Sequence, residues 1–202
     1  MRDRFESFLR NHGPGSIVLN LGSGPERIKK RTDIINVDLY AFNEVDMIAD
    51  VTDLPLEDGS VELILNQAML EHVTRPEVVV REMHRLLQPG GEVFCYLPFI
   101  QPFHAAPDDF YRWTMPGVRH LFRHFDHIEV GVGAGPTSGM LWIIQEWFAI
   151  LFSFGSRRLH DILFLFLMVL TSPIKMLDMF MVRLPYADKI ASGYYVVAKK
   201  EK

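Results

Sequence analysis

Between Val18 and Asp53, three short apolar runs each lead into a group suited to holding a ligand, and few architectures accommodate that arrangement. Val18-Leu19-Asn20-Leu21 runs into Gly22-Ser23-Gly24-Pro25, Ile34-Ile35-Asn36-Val37 into Asp38, and Met47-Ile48-Ala49 into Asp50. In an open α/β sheet the carboxyl ends of parallel strands border the ligand crevice, so the loop and both carboxylates would share one edge. Gly22 and Gly24 allow a sharp turn and a close backbone approach, and Pro25 suits the first turn of a helix. A bare strand-to-helix turn would need the same glycines. Asp38 argues for a ligand, because a carboxylate one strand later can accept from both ribose hydroxyls.

A dinucleotide would place its pyrophosphate on the helix that follows the loop. Glu26 stands there in place of a small residue, and a carboxylate repels a pyrophosphate. A cationic sulfonium is free of that objection, and Asp38, Asp50, Asp53 and Glu71 make the neighbourhood anionic. The balance favours S-adenosylmethionine (SAM) over NAD.

With these residues in view, positions 17 to about 100 resemble a class I SAM-dependent methyltransferase domain of the small, ubiquinone-methylase-like kind. The resemblance rests on Leu19-Asn20-Leu21-Gly22-Ser23-Gly24, Val37-Asp38, the run from Asp50 to Val61, Leu70-Glu71-His72-Val73 and Leu86-Leu87-Gln88-Pro89-Gly90-Gly91. It implies an α/β, Rossmann-like sheet, mostly parallel with an antiparallel last strand. It also implies that Gly22 and Gly24 pass under the methionine part, that Asp38 holds the ribose, and that Asp50 with the Val51 backbone reads the adenine edge. Asn20, Ser23, Leu39 and Asn66 complete the expected cofactor set. Asn20 stands where the family has Asp or Glu, and Glu26 where it has a third glycine, so the grip on the methionine ammonium is expected to be altered.

The 202 residues suffice for one domain with an elaboration, and the net charge of −4 argues against a nucleic-acid-binding surface. Cys95 is the single cysteine, so no intramolecular disulfide forms, and its mid-strand position suggests a buried thiol. The first residues carry charge without an apolar signal core, which gives a cytoplasmic expectation. Phe5, Phe8 and Leu9 mark a short amphipathic helix over residues 2–10 that packs on the domain or lies across its ligand site, stopped by Gly13-Pro14-Gly15. Strands are expected over 17–21, 34–37, 47–49, 61–65, 92–97, 128–132 and 194–198. Thr74 and Glu77 form a capping-box pattern, and Thr114 caps a later helix before Pro116. Pro89-Gly90-Gly91 is expected to end the first of these helices.

About sixty residues separate the last two strands, giving a SAM-binding domain over 1–133 and 190–202 and an apolar helical insertion over 134–189. The insertion contains Met140–Phe154 and Ile162–Leu170, too apolar for exposure to water. A bilayer, a partner copy of the chain docking through 140–185, and the domain's own core are the competing destinations. Glu146, Asp161, Pro173, Lys175 and Asp178 break the runs below the length of a simple span. Trp142, Trp147 and Arg157-Arg158 suit headgroup level, so peripheral or monotopic contact at the inner face of a membrane is preferred.

Methyl transfer from a sulfonium needs alignment above all, and a hydroxyl acceptor also needs a base. The stretch Phe99–Trp113, rich in aromatic and ionisable groups, follows the fifth strand. Its His104…Pro107-Asp108-Asp109-Phe110-Tyr111-Arg112-Trp113-Thr114 resembles a stretch in methyltransferase-like proteins encoded with glycan-assembly genes. His104 is the candidate base, oriented by Asp108 or Asp109, with Tyr111 and Arg112 on a sugar or phosphate; alternatively Asp109 and Arg112 pair locally and His104 packs. His72 is a second base candidate. His120 and His124 lie largely opposite the buried face of their helix and no ligand set is completed beside them, so no metal is expected. The preferred activity is SAM-dependent methylation of a membrane-proximal, lipid-like or glycan-linked acceptor. The alternatives are a non-catalytic subunit scaffolding a membrane complex and an NAD-binding dehydrogenase or epimerase.

Overall fold

The computed structural model describes residues 2–11, 15, 17–25, 28 and 33–201. The Gly13-Pro14 stop, Glu26 and the helix expected to open at Pro25 lie outside the described residues. In chain order the elements are α1 (Arg2–Asn11), β1 (Val18–Leu21), β2 (Ile34–Asp38), β3 (Met47–Ile48), β4 (Val61–Gln67), α2 (Pro76–Leu86), β5 (Leu87–Pro98) and α3 (Met115–Leu121). They continue with β6 (His127–Ala134), α4 (Pro136–Ser153), α5 (Arg157–Thr171), α6 (Asp178–Met181) and β7 (Gly193–Lys199). The seven strands form one sheet in the order β3-β2-β1-β4-β5-β7-β6. β1 to β5 pair in parallel, and β7 runs antiparallel between β5 and β6.

The central strands are buried on both faces, which explains their unbroken apolar runs. Period-two alternation sends Ile64 to the cluster under α2 and α3, and Leu63 and Leu65 to the cluster under α1. Phe5 and Phe8 of α1 reach Phe94 with ring centroids 5.3 and 5.4 Å apart, so α1 packs on the sheet. Cys95 is buried in β5, where desolvation raises its thiol pKa.

Two expectations need correction. Thr74 does not cap α2: Arg75 occupies that position without a side-chain bond, and the Thr74 carbonyl accepts from the Tyr111 hydroxyl at 2.8 Å. Pro76 at the start of α2 has no N–H to be capped, which removes part of the incentive. Pro89-Gly90-Gly91 lies within β5 rather than beyond a helix end. The pairing with β4 jumps from Val61–Leu87 to Leu63–Glu92, and Gly90, at φ +85°, takes the left-handed conformation of a bulge. Thr114 does cap its helix, accepting from the Gly117 N–H at 3.3 Å.

The insertion between β6 and β7 is helical. α4 and α5 pack side by side, with Phe154 at the tip in a left-handed conformation and 86% exposed. Through a 3-10 segment α5 continues into α6, so Arg157–Met181 is a 25-residue helical stretch containing an 18-residue window of mean hydropathy 1.8, none of it buried. The hairpin is fixed at its base by Asp178, whose carboxylate accepts the Thr137 and Ser138 N–H groups at 2.8 and 2.9 Å. An acidic side chain at a helix N-terminus satisfies free donors and opposes the helix dipole.

Candidate active site

A cavity of about 540 Å³ opens at the carboxyl ends of the parallel strands. Gly22, Gly24, Asp38, Leu39, Asp50, Val51, Met69, His72 and Pro107 are among the residues on its wall. Gly22 and Gly24 both have positive φ, +67° and +63°. A Cβ on Gly22 would overlap the Met69 side chain, whereas one on Gly24 would meet no protein atom and project into open space. Asp38 is buried beneath the loop, where its carboxylate accepts the Gly24 N–H at 2.8 Å and the Tyr40 N–H at 3.0 Å. Each of its oxygens keeps a lone pair for a ligand hydroxyl. Asp50 accepts the Thr52 N–H and hydroxyl, and these bonds hold its pKa below the usual carboxylate value. Bare loop, buried carboxylate and exposed carboxylate together fit a ribose and an adenine.

Asn20 and Asn66, expected at the cofactor, are not on the cavity wall. Asn20 is buried and donates to the Asn36 side chain at 3.0 Å. Asn66 is fully buried, not at the mouth, and donates to the Leu21 carbonyl at 2.9 Å, bracing β4 against the glycine loop. Ser23 sits within the loop, its N–H on the Val37 carbonyl.

Beside the cavity, a 3-10 turn at Leu70–His72 meets the loop after β5. The Phe110 N–H donates to the Glu71 carbonyl at 2.8 Å, tying the two segments together. Glu71 points inward; its side chain is fully buried and neither carboxylate oxygen has a hydrogen-bond partner. Burial, opposed in part by nearby His72 and Arg112, pushes its pKa up to about 7. His104 Nε2 lies 3.7 Å and His72 Nε2 3.9 Å from Glu71 Oε1. The rings of His72 and His104 meet edge to face at 5.4 Å.

Asp109, not Asp108, orients His104: its carboxylate accepts the His104 N–H at 2.8 Å and lies 3.7 Å from Nδ1. The Asp108 side chain is exposed, and its carbonyl is 2.6 Å from His72 Nδ1. Arg112 grips Asp109 with both terminal nitrogens and also donates to the Gln101, Pro102 and Tyr111 carbonyls. That ion pair holds the Asp109 pKa down to about 2. Arg112 is therefore the clasp of this loop, and the sugar or phosphate contact expected of it is not its arrangement here. Tyr111 likewise spends its hydroxyl on Thr74 and stacks on Trp113 at 5.6 Å. The local Asp109–Arg112 pair and a His104 facing Glu71 coexist.

Sequence reasoning placed Glu71 only in the anionic surroundings; its burial between two imidazoles was not visible. The signal was the adjacency of Glu71 to His72. Trp142 of α4 was also missed. Its ring lies 5.6 Å from that of His104, so the hairpin borders the cluster. His120, His124 and His127 are exposed, away from these residues.

A seven-stranded sheet of this order with a glycine-loop cavity is the Rossmann-like fold of class I methyltransferases. Residues 23–95 match the family described as a methyltransferase domain. The ubiquinone/menaquinone biosynthesis C-methyltransferase UbiE of Rubrivivax gelatinosus is 38% identical over 55 residues, 27% of this chain and 22% of that protein. The ubiquinone biosynthesis O-methyltransferase of Pseudomonas aeruginosa is 23% identical over 121 residues, 58% of this chain and 51% of that one. The chain thus spans at most about half the length of these relatives. Among solved structures, a SAM-dependent methyltransferase from Archaeoglobus fulgidus superposes with a TM-score of 0.62 at 13% identity, covering 98% of this chain and 92% of that one. Phosphoethanolamine N-methyltransferase 2 of Haemonchus contortus, solved with SAM, gives 0.59 at 14% identity, covering 99% and 53%.

Proposed function

We propose that the chain is a SAM-dependent methyltransferase acting on a hydroxyl of an amphipathic acceptor, lipid-like or lipid-linked, at a membrane surface. The observation that carries this reading is the position of His104, between buried Glu71 and Trp142 of the apolar hairpin, at the edge of the cofactor cavity. Bound in that cavity, SAM supplies a methyl carbon already activated by its sulfonium. Asp38 and the glycine loop hold the nucleoside, and Asp50 with the Val51 backbone the base. Glu71, His72 and His104 make the acceptor hydroxyl nucleophilic, a step with a rate contribution of typically 10²–10⁴-fold. The Asp109–Arg112 pair fixes the loop that carries His104.

The hairpin supports the membrane part of the reading. Apart from Leu141, the buried stripe of α4 is small or polar, with Thr137, Gln145, Ala149 and Ser153, while Ile150, Phe154, Ile162 and Phe166 face outward. Gln145 donates to Thr171 at 2.6 Å inside the pair. Polar and small groups between helices with apolar groups outside suit lipid as the surrounding solvent. The test is transfer of labelled methyl from SAM to an extracted lipid fraction, run beside a water-soluble fraction. Label that enters only water-soluble material would refute the membrane acceptor.

A further inference from the structure

We infer that Glu71, His72 and His104 form the binding site of one divalent transition-metal ion, which holds the acceptor's oxygen. This rests on the reading of the cluster as the acceptor-activating group and names what that group contains. Among the described residues, these three can bring one ligand atom each within 4.8 Å of one another. The separations of 3.7 and 3.9 Å between the two Nε2 atoms and Glu71 Oε1 are a few tenths of an ångström beyond those of a tetrahedral site with bonds of about 2.0–2.2 Å.

The tautomers point the same way. His72 Nδ1 lies 2.6 Å from the Asp108 carbonyl, and His104 Nδ1 lies 3.0 Å from the Pro102 carbonyl. A carbonyl accepts, so the His72 ring carries its proton on Nδ1 and presents the Nε2 lone pair toward Glu71, and His104 does the same when its Nδ1 donates to Pro102 rather than accepting from Arg112. Carbonyl-anchored Nδ1–H groups are the usual outer support of metal-binding histidines. Glu71 is the second, independent observation: a fully buried carboxylate with both oxygens unpartnered, facing those lone pairs. A buried carboxylate without a partner is costly unless it takes up a proton or something cationic completes it. Arg112 comes within 3.2 Å of His104 Nδ1, but its charge is matched by Asp109.

Two imidazoles and one carboxylate suit Zn²⁺, Mn²⁺ or Co²⁺ better than Mg²⁺, and three protein ligands leave a position open for an oxygen. A hydroxyl held there loses its proton to solvent more readily. Its oxygen then forms the bond to the methyl carbon while the carbon–sulfur bond breaks and the pair stays on sulfur. The cation keeps its oxidation state throughout.

The full chain, stripped with a chelator and titrated with CoCl₂, tests the site through the visible absorption of the bound ion. The expected result is a saturable spectrum at about one ion per chain, with affinity reduced at least about tenfold in His72→Gln and in His104→Gln. His120→Gln leaves it unchanged. Should either active-loop variant lose its circular dichroism spectrum, X-ray absorption of the zinc-loaded wild-type chain reads the ligands directly. Two imidazoles with oxygen uphold the site; sulfur, or oxygen alone, overturns it. No saturable absorption, or an unchanged spectrum in folded His72→Gln and His104→Gln, also overturns it. Calorimetry with SAM on the same stripped sample separates the two proposals. SAM binding without metal binding removes the ion alone, and loss of both removes the methyltransferase reading with it.

Discussion

The sheet and the hairpin sort their side chains in opposite ways. In the sheet, Leu19, Leu63, Ile64 and Phe94 are fully buried. In the hairpin, Thr137, Gln145 and Ser153 are buried, while Ile150, Phe154 and Phe166 stand outward. On the proposed membrane contact, both patterns follow from one rule, that a group is placed by the solvent around it. A sheet in water hides its hydrocarbon, whereas helices in lipid gain nothing by hiding theirs and use close approach and internal hydrogen bonds instead. Trp142 joins the two regions by lying on His104, while Asp178 closes the base of the hairpin by capping α4.

The contrast can be broken by substitution. His104→Ala should cost the most, lowering kcat by about 10²–10⁴-fold while SAM binding is retained; steady-state rates and calorimetry check it, and unchanged turnover would remove His104 from the chemistry. Phe94→Ala in the sheet should destabilise the fold by about 3–5 kcal/mol in urea titrations. Phe166→Ser on the hairpin should change that stability by less than about 0.5 kcal/mol. The same substitution should weaken flotation with liposomes by at least about tenfold, from the loss of roughly 1.5–3 kcal/mol of apolar burial. Equal stability losses at Phe94 and Phe166 would mean that both regions share one water-facing logic. Asp178→Ala should cost about 0.5–2 kcal/mol, read as faster amide exchange at the start of α4.

The smallest effect concerns pH. His160 faces Glu146 of α4 at 3.1 Å and Asp161 at 3.2 Å, and its pKa is raised above the ordinary 6.5, first by the bond to Asp161. A raised pKa means that the folded state holds the proton more tightly, so this tie is present below pH 6.5 and fades as pH rises through the folded value. Exchange of amides in the hairpin should accelerate over that interval, and His160→Gln should flatten the dependence.

Much of the sheet was legible because buried parallel strands leave uninterrupted apolar runs, and the glycine loop with Asp38 marks the crevice locally. Helix starts were less so. Thr74 carried the right pattern, but tertiary structure spent its carbonyl on Tyr111 and left Arg75 in the capping position. Pro89-Gly90-Gly91 read as a stop because a bulge in β5 uses the same residues as a turn. The cluster was partly hidden for a different reason. His72 and His104 are 32 positions apart, and only the hydrogen bonds between Glu71, Asp108 and their neighbours bring them together. Arg112 looked like a ligand-binding cation, and its partners in Asp109 and three carbonyls became visible only in the folded loop.

The central claim is that the cavity above Gly22 and Gly24 takes SAM with its ribose on Asp38. Calorimetric titration of the full chain with SAM and, separately, with NADH tests it most directly. The account predicts saturable binding of SAM alone, abolished in a folded Asp38→Ala variant. Binding of NADH in place of SAM, or SAM binding that survives Asp38→Ala unchanged, would contradict it.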